Sequence, residues 1–119
     1  MKTISPNETR RRLIIKLKRQ SRNPGGRIWR TLYEDLQTAR RNRVTVNIGD
    51  LQRHYTKGQV MVVPGKVLSD GIVVDKLEVA AYAFSAQARA KIEAQGGKCF
   101  TLEELMEMNP TGKNVKLIN

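Results

Sequence analysis

The sequence predicts an α/β fold: a small mixed sheet covered by helices, preceded by a basic helical N-terminal extension. Three observations carry that prediction. First, Gln59–Ser85 contains a continuous apolar run, Val60-Met61-Val62-Val63, the pattern of a strand buried on both faces. Second, the same stretch then alternates. Leu77, Val79, Ala81 and Ala83 fall on one side, and Lys76, Glu78, Ala80, Tyr82 and Phe84 on the other, as period two requires of a strand. Third, helical periodicity with its own start and stop signals flanks this pair on both sides.

The elements follow in order. Ser5-Pro6-Asn7-Glu8 reads as a capping box, with Pro6 where its missing N–H costs nothing, so a helix should run from about Pro6 to Arg19. Its apolar stripe is Leu13, Ile14 and Leu17; cations fill the opposite side, with Ile15 intruding among them. Ser21–Gly26 is a breaker. A second helix is expected from about Arg27 to Arg41, with Ile28, Leu32, Leu36 and Ala39 as its core stripe. Trp29 flanks that stripe, which favours core packing over stacking on a base. Val44-Thr45-Val46 is extended, and Asn47 with Asp50 can cap a short helix reaching Tyr55.

The central strand is expected to break at Pro64-Gly65 and to resume at Lys66-Val67-Leu68 before a turn at Ser69-Asp70-Gly71. Ser85 caps a helix over about Ala86 to Gln95, stopped by Gly96-Gly97 in left-handed conformation. Lys98-Cys99-Phe100 is a short strand. Thr101-Leu102-Glu103-Glu104 is a second capping box opening an acidic helix to about Met108, expected to face away from any polyanion. Val115–Ile118 is a last strand that can return to the sheet edge.

A chain of 119 residues suits one domain with a core that needs no staples. The division expected is a basic helical extension over residues 1–43 and a compact α/β unit over 44–119. No run approaches the length of a membrane span, and Met1–Pro6 has no apolar block, so neither a span nor a secretory signal is expected. One cysteine, Cys99, excludes an internal disulfide and fits a reducing cytosol.

Charge is the informative quantity. The net value is +11, and residues 1–43 carry +10 of it, from 13 basic and three acidic residues. Ten of the 12 arginines lie there. Arginine's planar fork grips phosphate oxygens in pairs and stacks on bases, so clustered arginine favours a nucleic-acid partner over mere solubility. A membrane-surface helix is disfavoured because the apolar face of the first helix is small and lacks aromatics.

Catalytic motifs are missing, and no enzyme activity is expected. Gly58 and Gly65-Lys66 imitate a phosphate loop, but six residues intervene instead of four and Val67 stands where a Ser or Thr binds metal. One Cys and one His make no zinc constellation. His54 has no nearby nucleophile or acid partner, and Asp70 with Asp75 is better explained by a turn. No cofactor, metal, membrane or small-molecule substrate is expected.

Val62-Val63-Pro64-Gly65-Lys66-Val67-Leu68, Asp70-Gly71, Val79-Ala80-Ala81 and Phe84-Ser85 strongly resemble the archaeal and eukaryotic large-subunit ribosomal protein family called L eighteen-e, a relative of the bacterial-type L fifteen family. The likeness extends upstream to Trp29-Arg30 and Val46-Asn47. Downstream it takes in Ile92, Gly96-Gly97, Glu104-Leu105, Asn109-Pro110 and Gly112. Three places depart from the pattern: Ser69 where glycine is expected, Gly49-Asp50 in the short helix, and the start at Ser5–Thr9.

The resemblance implies a compact, irregular β-β-α winding and a structural constituent of the cytoplasmic large ribosomal subunit, supporting translation. Its partners would be large-subunit ribosomal RNA and neighbouring ribosomal proteins. RNA-contact candidates are Arg10, Arg11, Arg12, Lys16, Lys18, Arg19, Arg22, Arg27, Arg30, Arg40, Arg41 and Arg43, with Lys66 as a second point of contact. Recognition should follow RNA shape more than base edges. The competing readings are a free-standing module that binds or compacts nucleic acid and, more distantly, an enzyme acting on RNA, for which no convergent acid, base or nucleophile set is visible.

Overall fold

The computed structural model describes residues 6–23, 25–38 and 45–118. The Ser5 cap, Ala39, the arginines at 40, 41 and 43, and Val44 lie outside the described residues. The elements in chain order are α1 (Pro6–Gln20), α2 (Arg27–Thr38), β1 (Thr45–Asn47), α3 (Ile48–Arg53), β2 (Val60–Leu68), β3 (Glu78–Phe84), α4 (Ala86–Ala94), β4 (Lys98–Thr101), α5 (Leu102–Met108) and β5 (Val115–Leu117).

The fold is α/β as expected, but the described sheet is parallel throughout, not mixed. Its order is β1-β2-β3-β4, and β5 also pairs with β2. β1 lies along Lys66–Leu68 and β5 along Val60–Val62, so the two sit end to end on the β2 edge opposite β3. A parallel sheet needs cover on both faces, and the alternation of β2 and β3 supplies two sets of apolar side chains for it. Met61, Val63, Val67, Val79 and Ala81 pack on one face with Ile48 and Leu51 of α3 and Ala88 and Ile92 of α4. Val62 and Ala80 pack on the other with Leu13 and Leu17 of α1, Trp29, Leu32 and Leu36 of α2, and Leu102 and Leu105 of α5.

Pro64-Gly65 does not break the central strand. β2 runs through it with a bulge: Val63 pairs with Ala81 and Lys66 with Ala83, three steps on β2 against two on β3. Proline has no N–H to offer the ladder, and a bulge is a place inside a sheet where none is required. Both residues are buried, whereas Lys66 emerges exposed. Beyond the slip, Phe84 pairs with Val67 and packs on the α4 side, not with Ala80 and Tyr82 as alternation implied.

Local signals explain the remaining elements. Asp50 accepts the Asn47 N–H at the start of α3 (3.4 Å), and His54 Nδ1 lies 2.8 Å from Asp50 O at its end. Gly49 does not prevent this helix. It faces Gly71, where a Cβ would come within 2.5 Å of the Gly49 Cα, and the Gly49 N–H donates to Asp70 O at 3.0 Å. Ser85 caps α4 by accepting the Ala88 N–H, and Gly96 at φ +81° ends it. The capping box of α5 is complete: the Glu104 N–H donates to Thr101 Oγ1 (3.1 Å), and the Thr101 N–H donates to Glu104 Oε1 (3.0 Å).

Candidate RNA-binding surface

The placement of α1 follows from its own pattern. Leu13 and Leu17 turn into the core, leaving Arg11, Arg12, Ile15, Lys16, Lys18 and Arg19 exposed on the outer side. Three of these cations, Arg11, Lys18 and Arg19, make no ion pair among the described residues. Arg12 reaches Glu8 at 3.3 Å, both side chains being half exposed. Such a pair contributes little in water and yields easily to a phosphate.

The other candidates divide. Arg22 and Arg27 are exposed on either side of the α1–α2 turn. Arg30 donates from Nε to Glu34 at 3.1 Å, and that hydrogen bond, then the charge of the carboxylate, hold the guanidinium above its ordinary pKa. Arg10 is half-buried and donates from Nη2 to Leu36 O, so its fork is engaged in tying α1 to the end of α2. Lys66 is exposed at the β2 bulge and lines a cavity of about 280 Å³ with Arg10, Thr45, Pro64, Gly65 and Tyr82. Tyr82, half-buried on β3, lines this cavity and was not among the sequence candidates. Arg40, Arg41 and Arg43 lie outside the described residues.

Lys16 points to a correction. It donates to Glu103 Oε2 of α5 at 3.0 Å, so the acidic helix lies beside the basic one instead of facing away from it. Lys16, Arg19, Glu103 and Glu107 line a shared groove. The cause is the core: α1 and α5 cover the same sheet face through Leu13, Leu17, Leu102 and Leu105. Burial of these leucines contributes roughly 1.5–3 kcal/mol each, more than the charge pattern of two exposed surfaces can oppose.

Trp29 is fully buried, and its Nε1–H donates to Pro110 O at 2.8 Å. It is a core anchor between α2 and the turn after α5, and its ring is closed to stacking. Among the described residues no group of three His, Cys, Asp or Glu side chains is placed to hold a metal, and no helix is long and apolar enough to cross a membrane.

The comparisons with known proteins agree with the resemblance in the central strand. A family profile described as ribosomal protein 60S L18 and 50S L18e matches residues 2–119. The large ribosomal subunit protein eL18 of Methanopyrus kandleri is 42% identical over 113 residues, covering 91% of this chain and 89% of the relative. That of Methanothermobacter thermautotrophicus is 41% identical over 107 residues, covering 90% and 88%. That of Methanococcus maripaludis is 39% identical over 117 residues, covering 98% of both chains. With the parallel sheet, the cationic α1 face and matches of this extent in hand, the chain belongs to the family of ribosomal protein 60S L18 and 50S L18e, whose role is structural and not enzymatic.

Proposed function

We propose that the chain is built into the cytoplasmic large ribosomal subunit and contacts ribosomal RNA chiefly through the outer face of α1 and the arginines that follow it. In this reading residues 1–43 supply most of the phosphate contacts, and the near-neutral sheet unit of residues 44–119, with α1 and α2 packed as the cover of one of its faces, forms the rigid mount. The observation that carries it is the set of exposed cations on α1, with Arg11, Lys18 and Arg19 unpaired among the described residues. An ordinary solvated surface would interleave both signs of charge.

Arg22 and Arg27 extend the surface toward the α1–α2 turn. Arg40, Arg41 and Arg43 add three more cations to the same part of the chain. Lys66 is a separate point of contact, held by a bulge whose backbone is buried. Lys16 and Arg30 are partly neutralised, and Arg10 is a brace for the helix pair, so these three contribute less per residue. Membranes and small-molecule substrates have no part in this account. A free-standing nucleic-acid module is disfavoured by the family match over residues 2–119.

Sedimentation tests the proposal. In a sucrose gradient of extract from cells producing the tagged chain, it should migrate with the large subunit and remain there through moderate salt. Recovery only at the top of the gradient, or only with DNA, would contradict it.

A further inference from the structure

Ile15 is half exposed, at 50%, in the middle of the α1 outer face. Helical spacing surrounds it with cations: Arg11 and Arg12 lie one turn before it, Lys18 and Arg19 one turn after. Residues three and four apart are neighbours on a helix, roughly 5–6 Å between Cβ atoms. At about 100° per residue, Arg11 and Lys18 fall in one row on one side of Ile15, and Arg12 and Arg19 in another row on the other side. Each row spans about 10 Å of helix. The face is therefore two lines of positive charge with an apolar midline, and Arg12, in the second line, shares its charge with Glu8 at 3.3 Å in the exposed pair described above. Ile72, Val74 and Met108 are the other large apolar side chains exposed among the described residues, and only Ile15 has cations at all four helical neighbours.

We propose that α1 straddles the minor groove of an RNA duplex, each cationic row holding one phosphate strand and Ile15 resting on the ribose edges between them. This rests on the RNA-contact reading above and assigns the form of RNA that the face accepts. The charge pattern complements two parallel lines of phosphate. The groove must also be open enough for a helix to approach its floor. The A-form minor groove is wide and shallow and displays sugar edges, whereas the A-form major groove is too deep and narrow for side chains. The minor groove of B-form DNA is only about 6 Å wide, so duplex DNA can meet the two rows but not Ile15. The apolar contact thus converts a general attraction for phosphate into a preference for duplex RNA.

The test is fluorescence anisotropy with the full chain against a 20-base-pair RNA duplex, the DNA duplex of the same sequence and the single-stranded RNA. Ile15→Ser should weaken binding to the RNA duplex by about tenfold, the scale of losing part of a buried apolar side chain. It should leave the salt slope and the affinities for the other two probes unchanged, and Ile15→Leu should restore binding. Arg19→Gln should instead lower the salt slope by about one on both duplexes. Two results overturn the inference while leaving the RNA reading intact: an Ile15→Ser variant that binds duplex RNA like the wild type, or one that weakens all three probes equally. Failure of the unaltered chain to bind any RNA removes both.

Discussion

Replacing Trp29 with Phe separates a core anchor from a base-stacking platform. The indole has no exposed surface, sits in the cluster that joins α1, α2 and α5 to the sheet, and donates to Pro110 O at 2.8 Å. Phenylalanine forfeits that hydrogen bond, a loss of about 1 kcal/mol. Pro110 O is not orphaned, because Gln20 Nε2 also donates to it at 3.1 Å, so no larger penalty for an unsatisfied carbonyl applies. The smaller ring leaves a void of a few tens of Å³, which at about 24 cal/mol per Å³ adds roughly another 1 kcal/mol. Trp29→Phe should therefore cost about 2 kcal/mol, and Trp29→Ala at least 3–5 kcal/mol. Urea unfolding followed by far-UV circular dichroism reads this directly, since Trp29 is the sole tryptophan and the variants lose its fluorescence. In the unaltered chain its emission should resist acrylamide and stay constant on adding RNA. A Phe variant with wild-type stability but impaired RNA binding would refute the packing argument and make Trp29 a stacking residue.

Four further perturbations probe the mount. Gly71 adopts φ +110° and an added Cβ would strike Gly49, so Gly71→Ala should cost at least 2 kcal/mol in chemical denaturation, whereas Gly58→Ala, with open space around it, should cost only the strain of its positive φ. The hydrogen bonds Glu104 accepts from Thr101 hold its carboxyl below the ordinary value of 4.5. Its contribution to stability is thus fully present above pH 4.5 and lost as pH falls through the lower folded-state value; the difference in unfolding free energy between the chain and Glu104→Gln should shrink in that acid range and be constant above it. Burial pushes the Cys99 thiol above its ordinary value, so alkylation with iodoacetamide near neutral pH should be slow in the native chain and fast in urea.

Much of this fold was legible because its signals are local. The apolar run Val60–Val63, the alternation of Leu77–Ala81, and the caps at Ser85 and Thr101 each act over a few residues, and each element stands where those signals place it. What escaped depends on contacts between distant segments. Pro64-Gly65 reads as a turn in isolation and becomes a bulge because β3 lies beside it to set a slipped register. The acidic α5 looks electrostatically unsuited to a seat beside α1, yet the leucines of both helices share one sheet face, and burial outweighs exposed charge. Arg10 and Arg11 are adjacent and chemically identical, and only the path of α2 decides that one fork is taken up by the Leu36 carbonyl while the other stays in solvent. Gly49 is a departure from the family pattern in the short helix, and only the fold brings Gly71 against it. Charge asymmetry marked out the stretch of chain that carries the exposed cations, and packing sorted which of them are free and which are engaged.

The most direct test is the salt dependence of binding to an in vitro transcript of large-subunit ribosomal RNA, for the chain and for a variant carrying Arg11→Gln, Lys18→Gln and Arg19→Gln. With six to ten phosphates neutralised, affinity should fall by roughly three to five orders of magnitude between 50 and 200 mM salt, on the scaling for duplex DNA. The variant should keep a native circular dichroism spectrum and lose about two to three units of the slope of log Kobs against log salt. A shallow slope in the unaltered chain, or an undiminished slope in the variant, would contradict the claim that these exposed α1 cations hold the RNA.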